Sequence, residues 1–300
     1  MILVIAFKFN DIIYSLSTTE YQCAKIRYLI ILYNSVNPED FPYISCFDKV
    51  YFVKYKKSVI SLSIAIIKIL FKVGIKVDCI ITSNPILVII QFIIKRVRAR
   101  EVVIIEDGLM NYRNFSPNNN LKKKVALLFL NIKYNQIFDK ITCTYLLSPQ
   151  KAIFFWGKKK RLDFYQLKNS DENVKLQSLE NKSFFVGQNL YDTGYVTKTE
   201  YKNIVERIMK AYNIDYYIPH PHSAKDENLN VPLFNLSQIN TTLEICAIYY
   251  SFTIYSISSS VLYTTKNINP NIKSYMVNIS ETENKPSILK EYCDKIIIVK

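Results

Sequence analysis

Short apolar runs alternate with helical stretches along this chain, and many of the runs end in a polar or glycine-bearing motif. No other feature narrows the choice of fold so far. Residues 1–7, 49–53, 77–82, 101–105 and 140–146 are rich in Ile and Val and read as strands. Residues 18–34 follow the cap signal Ser17-Thr18-Thr19-Glu20 and read as a helix. So do 58–73, the apolar stretch 85–94 with its basic end, and 121–138. Strands separated by helices in this way form a parallel sheet covered on both faces.

A polar stretch without apolar periodicity, 167–173, interrupts the rhythm and reads as a surface connection. A second alternation follows. Strands are expected at 183–186, 216–218, 243–245, 252–257, 274–277 and 295–299. Helices are expected at 198–212, 232–239 and 286–294, and directly after Ser258-Ser259-Ser260. The expected organisation is α/β, with two Rossmann-type domains at 1–170 and 171–300, and 300 residues suffice for both. Ligands in such sheets bind beyond the carboxyl ends of the strands. Strand-end motifs therefore carry the functional argument.

Both histidines lie in Pro219-His220-Pro221-His222, directly after the run 216–218. Proline stiffens the flanking chain, and imidazole is the side chain suited to hold or donate a proton near neutrality. His220 is the candidate, and His222 reads as surface. Glu106-Asp107-Gly108 follows the run 101–105. A carboxylate there can act as a general base, and the same three residues also describe a tight turn. Ser258-Ser259-Ser260, preceded by Ser256-Ile257, open a helix. Hydroxyls and free amides at a helix start suit a phosphate as well as an ordinary cap. Gly187-Gln188 and Asp192-Thr193-Gly194 are placed to hold a nucleotide or a sugar, or simply to turn the chain.

Composition narrows the partners. With 49% hydrophobic residues the chain can bury a core, which excludes general disorder. Six scattered cysteines form no C-x-x-C pair, and they read as reduced, cytoplasmic thiols. Together with two neighbouring histidines they leave few ligands for a metal centre. The apolar amino terminus lacks a cleavage pattern and reads as a first strand. The run 85–94 is shorter than the ~20 residues of a spanning helix. The net charge of +14 implies an anionic partner. Basic residues cluster at Lys56-Lys57, Lys95 to Arg100, Lys122-Lys123-Lys124 and Lys158-Lys159-Lys160-Arg161. The last cluster follows Phe154-Phe155-Trp156-Gly157, and aromatics beside lysines suit an anionic membrane surface. They also suit nucleic acid, but no recognition-helix, zinc-finger or RNP signature accompanies them.

The order Glu106-Asp107-Gly108, Gly187-Gln188, His220-Pro221 and Ser258-Ser259-Ser260 resembles the bacterial sialyltransferases. It is most similar to the lipooligosaccharide sialyltransferases of glycosyltransferase family 52, over about half the chain, residues 102–262. The resemblance implies a GT-B-like fold of two Rossmann-type domains facing a central cleft. The amino-terminal domain would take the acceptor and the carboxyl-terminal domain the nucleotide sugar. It implies inverting transfer of sialic acid from CMP-sialic acid to a galactose-containing acceptor of lipooligosaccharide or capsule, with no metal or other cofactor required. Under it Asp107 is the base, with Asp192 as the alternative. His220 binds the CMP phosphate and assists its departure, and Pro221, Gly187, Gln188, Ser258, Ser259 and Ser260 help to hold the donor. The enzyme would be cytoplasmic and peripheral to the inner membrane, held by anionic lipid. A homodimer is compatible with the family, and no nucleic acid is expected. Another nucleotide sugar, CMP-Kdo or a UDP-sugar, is the alternative within this class. A basic nucleic-acid-binding protein is the alternative outside it.

Overall fold

The computed structural model describes residues 1–33, 41, 43–54, 67, 76–114, 137–168, 179–188, 190–191, 194–220, 229–236, 241–279 and 287–298. The chain divides into two compact units, Met1–Leu167 and Lys168–Lys300.

In the first unit β1 (Ile2–Ala6), β2 (Arg27–Tyr33), β3 (Lys49–Lys54), β4 (Cys79–Thr82), β5 (Glu101–Ile105), β6 (Ile141–Leu146) and β7 (Lys158–Arg161) form one sheet. Their order is β3-β2-β1-β4-β5-β6-β7, and every pairing is parallel. All strands thus start on one edge and end on the other. Inner strands of a parallel sheet are covered on both faces, and β1 is buried at every residue. Helices α1 (Phe9–Leu16), α2 (Thr19–Gln22) and α3 (Val88–Arg96) belong to this unit. Helix α3 contributes Ile89, Ile90, Phe92, Ile93 and Ile94 to a core that includes Leu3, Ile5, Ile80, Val102 and Ile104. It ends in Lys95 and Arg96, the charge its carboxyl terminus favours. Burying each such side chain contributes roughly 1.5–3 kcal/mol, against about 0–1 kcal/mol for an exposed ion pair. Apolar layers, not surface charge, hold this sheet.

In the second unit β8 (Ser183–Val186), β9 (Tyr216–Ile218), β10 (Thr253–Ser256), β11 (Lys273–Asn278) and β12 (Lys295–Ile298) form a parallel sheet in the order β12-β11-β10-β8-β9. The helices are α4 (Lys198–Ala211), α5 (Leu243–Tyr249), α6 (Val261–Ile268) and α7 (Ser287–Tyr292). Helix α4 starts at a capping box. The Thr197 hydroxyl accepts from the Glu200 amide, and the Glu200 carboxylate accepts from the Thr197 amide. Its buried Tyr201, Val205, Ile208 and Met209 join Phe185, Tyr217, Tyr255 and Val277 in one core. In each sheet the strand order reverses once, between β1 and β4 and between β8 and β10.

Four expectations change. The helix expected at 18–34 stops at Gln22, and Arg27–Tyr33 is β2. A strand buried on both faces loses its alternation, so its apolar run fits a buried helix as well. Residues 243–245, expected as a strand, open α5, where the Thr242 hydroxyl caps the Ile245 amide at 3.3 Å. The helix expected at 232–239 is absent over residues 232–235, where Leu233 bridges Tyr217 as extended chain, and 237–239 lie outside the described residues. The basic cluster Lys158–Arg161 is the edge strand β7 rather than a free patch. Lysines on an edge strand hinder edge-to-edge pairing. The helix expected at 58–73 (apart from Ile67), most of that at 121–138, Lys56-Lys57, Lys122-Lys123-Lys124 and most of 167–173 lie outside the described residues. Among the described residues no helix is long and apolar enough to cross a membrane.

Candidate functional site

The carboxyl edge beside each reversal of strand order is where an open α/β sheet receives its ligands. In the first unit that edge collects residues from the ends of β1, β4 and β5. After β1, the chain passes Phe7 and Lys8 into α1, whose first turn carries Asp11. The Asp11 Oδ2 accepts from the amides of Phe7 at 2.8 Å and Lys8 at 3.2 Å. Asp11 is fully buried, and burial pushes its pKa up to about 6, although Lys8 pulls it down. After β5 come the expected Glu106 and Asp107, and they take different roles. Glu106 is fully buried, and its Oε2 accepts from the Tyr112 hydroxyl and, at 2.6 Å, from the Leu147 amide. Burial raises its pKa to about 8 against those two donors. It ties the end of β5 to the end of β6.

Asp107 is the accessible carboxylate, its side chain 21% exposed. Its Oδ1 pairs with Lys8 Nζ at 2.6 Å, and its Oδ2 accepts from Asn84 Nδ2, beyond the end of β4, at 3.2 Å. Its amide donates to Asn111 Oδ1 at 2.9 Å, and Asn111 Nδ2 donates to the Phe154 carbonyl at 2.9 Å. Gly108 follows with φ 62°, where a side chain would be strained although nothing crowds it. Sequence reasoning did not single out Lys8, Asp11, Asn84 or Asn111 as site residues. For Lys8, Asp11 and Asn84 the available signal was their position just past strands β1 and β4.

In the second unit Gly187 and Gln188 follow β8, Pro219 and His220 follow β9, and the serines follow β10. Gln188 Oε1 accepts from the Ser258 amide at 2.9 Å and from its hydroxyl at 3.1 Å. Two predicted residues thus engage each other, and the Ser258 hydroxyl is spoken for. Ser256 Oγ donates to the Val186 carbonyl at 2.8 Å, clamping β10 to β8. Ser259 Oγ accepts from the Val261 amide at 3.3 Å, and Ser260, at the cap position of α6, makes no side-chain cap hydrogen bond. Ser258, Ser259, Ser260 and His220 are all partly exposed. Pro221, His222, Asp192 and Thr193 lie outside the described residues.

A cavity of about 500 Å³ in the same unit is lined by Tyr195, Val196, Glu200, Asn203, Ile204, Arg207 and Ile279, none of them a predicted site residue. Among the described residues no three His, Cys, Asp or Glu side chains are grouped to hold a metal ion.

The model of glycosyltransferase family 52 matches residues 27–281. No curated protein matches the chain in sequence. Among solved structures, S. aureus MnaA with UDP is 12% identical with a TM-score of 0.52, over 92% of this chain and 78% of that one. E. coli heptosyltransferase WaaC with ADP-2-deoxy-2-fluoro heptose is 12% identical with a TM-score of 0.48, over 100% of this chain and 92% of that one. The likeness to MnaA is one of fold, and it agrees with two Rossmann-type α/β units of the GT-B class.

Proposed function

The chain belongs to glycosyltransferase family 52 and is a glycosyltransferase, and from that premise we propose that it transfers sialic acid from CMP-sialic acid to a galactose-containing acceptor of lipooligosaccharide or capsule. The acceptor oxygen bonds to the anomeric carbon of the sugar as the bond from that carbon to the phosphate oxygen breaks. The electron pair leaves with CMP, and the configuration inverts. Asp107 takes the proton of the acceptor hydroxyl, and His220 donates to the departing phosphate oxygen. Such an acid and base supply the chemistry without a metal. Asp192 is the alternative base.

The observation that carries the reading is the family match, joined at two points by the strand-end groups. Asp107 is an accessible carboxylate held by polar partners. Gly187, Gln188 and the serine run stand together at the reversal of the second sheet. The Ser259 and Ser260 hydroxyls and the start of α6 suit a phosphate. Incubation with CMP-sialic acid and a lactoside tests this. CMP and a sialylated product are expected, and His220→Ala is expected to lower kcat by about 10²–10⁴-fold. Turnover of a UDP-sugar or CMP-Kdo instead would move the donor and keep the class. No turnover, with no stabilisation by CMP, would remove the donor assignment.

We further propose that the enzyme works at the cytoplasmic face of the inner membrane, held by anionic lipid. Support comes from the amino-terminal edge of the first sheet. Lys25, Lys49, Lys76, Arg98 and Arg100 are exposed there, with Arg27 and Lys140 half-buried among them, and they outnumber the exposed Asp48, Asp78 and Asp139 of the same edge. Backbone hydrogen bonds lace these segments together, from Ile2 to Ile26, Asp48 to Arg27, Arg100 to Val77 and Val102 to Lys140. The Lys158–Arg161 cluster supports docking less. Lys160 pairs with Glu20 at 2.8 Å, and Lys159 donates to the Ala152 carbonyl and lies over the Phe155 ring.

A further inference from the structure

We propose that Lys8 is the positioning residue for the acceptor side of the transfer: it fixes the Asp107 carboxylate at the carboxyl edge of the first sheet. The inference rests on the reading of Asp107 as the base. Lys8 follows β1 and Asp107 follows β5, and β4 lies between those strands. The Lys8–Asp107 pair therefore reaches across the reversal of strand order, two strand spacings of about 4.8 Å each. Asn84, from beyond the end of β4, fills the gap and takes the second carboxylate oxygen. Lys8 is itself held from behind, because Asp11 accepts from its amide and from that of Phe7.

The result is a carboxylate with one oxygen on an ammonium and the other on an amide, its own backbone amide bound to Asn111. Each carboxylate oxygen has two acceptor sites, so a hydroxyl can still donate to it. Its plane is fixed before the acceptor arrives, which is what orientation contributes to catalysis.

Charge gives Lys8 a second task. The groups that face it are Asp11 on α1 and Asp107 and Glu106 beyond β5, with Tyr112 bound to Glu106. Beyond β4 lie the neutral Ser83 and Asn84. Lys8 opposes protonation of both buried acids, whereas Asp107 promotes it. Without Lys8 the buried Asp11 and Glu106 would hold more protons at a given pH.

The test compares Lys8→Met, Lys8→Arg and Asp107→Asn with the wild type in full pH profiles on the intact chain, with folding checked by circular dichroism. For Lys8→Met, kcat is expected to fall about 10²-fold, donor KM to change little, and the acid limb of kcat/KM to move to higher pH. Lys8→Arg is expected to restore most of the rate and the position of the limb. A Lys8→Met enzyme that folds and keeps both the rate and the acid limb would overturn the proposal. So would Lys8→Arg failing as Lys8→Met does, since a cation alone would then not suffice. Full activity in Asp107→Asn would overturn the reading of the base itself, and an inactive Asp107→Asn beside a normal Lys8→Met would overturn Lys8 alone.

Discussion

A Cβ added to Gly187 would stand 2.2 Å from the Tyr217 hydroxyl oxygen and 3.1 Å from the Ile218 carbonyl. Tyr217 is fully buried and stacks on Phe185 at 6.1 Å between ring centroids, so it has little freedom to yield. The glycine is needed for space, and the next residue is the glutamine that holds Ser258. Gly187→Ala is therefore expected to cost about 1–3 kcal/mol through overpacking and to weaken CMP binding by displacing Gln188. Thermal melts with and without CMP check both effects. An unchanged melting temperature with normal CMP stabilisation would show that Tyr217 moves freely. Gly108 differs in kind, with open space around it and a positive φ that L side chains rarely adopt. The sequence shows the same letter in both places, and only the surroundings separate crowding from conformation.

Glu106 acts between elements, joining the end of β5 to the Leu147 amide after β6 and to Tyr112. Its pKa in the fold, about 8, lies above the ordinary 4.5, and that of Asp11, about 6, lies above 3.8. Between the ordinary and raised values the folded state holds more protons than the unfolded state, so stability falls as pH rises. The contribution of each acid is fully present below its ordinary pKa and is lost as pH rises through the raised one. The melting temperature is expected to drop from about pH 5 to about pH 8.5, and Glu106→Gln to flatten the drop above about pH 6. A variant with the wild-type slope would place the titration elsewhere. Element by element, every strand but β2 and β7 was legible because short runs of β-branched, aliphatic and aromatic residues stop at turn residues. Helix α4 was legible as a helix at 198–212, and the structure adds the capping box at Thr197 and Glu200 that starts it. Strand β2 and helix α5 were not, since burial on every side erases the period that distinguishes helix from strand. The strand-end motifs located the two edges. Lys8, Asp11 and Asn84 stayed hidden because strand order, not sequence distance, brings two separate chain segments to Asp107.

At the scale of the molecule the net charge of +14 needs a location before it has a meaning. In the first unit the strands run in one direction, so their amino ends share an edge opposite to the edge that carries Asp107. Cations outnumber carboxylates on the amino edge and can meet anionic lipid while the carboxyl edge stays clear of it. Exposed Arg98 and Arg100 are the suitable probes, because neither is an apolar contact of the sheet core, whereas Lys160 is bound into an ion pair with Glu20. Each cation near anionic lipid contributes about 1 kcal/mol. Reversing Arg98 and Arg100 to Glu is thus expected to weaken binding to anionic phospholipid vesicles at least roughly 30-fold, with activity on a soluble lactoside unchanged. Binding should also fade with added salt, as the screening length shrinks from about 10 Å at 0.1 M to about 3 Å at 1 M. Vesicle co-sedimentation over a salt series reads both. Equal binding by the variant and the wild type would free this edge from any membrane role. Loss of binding to generic DNA with a steep salt slope, beside indifference to vesicles, would mean that the charge serves a polyanion of another kind.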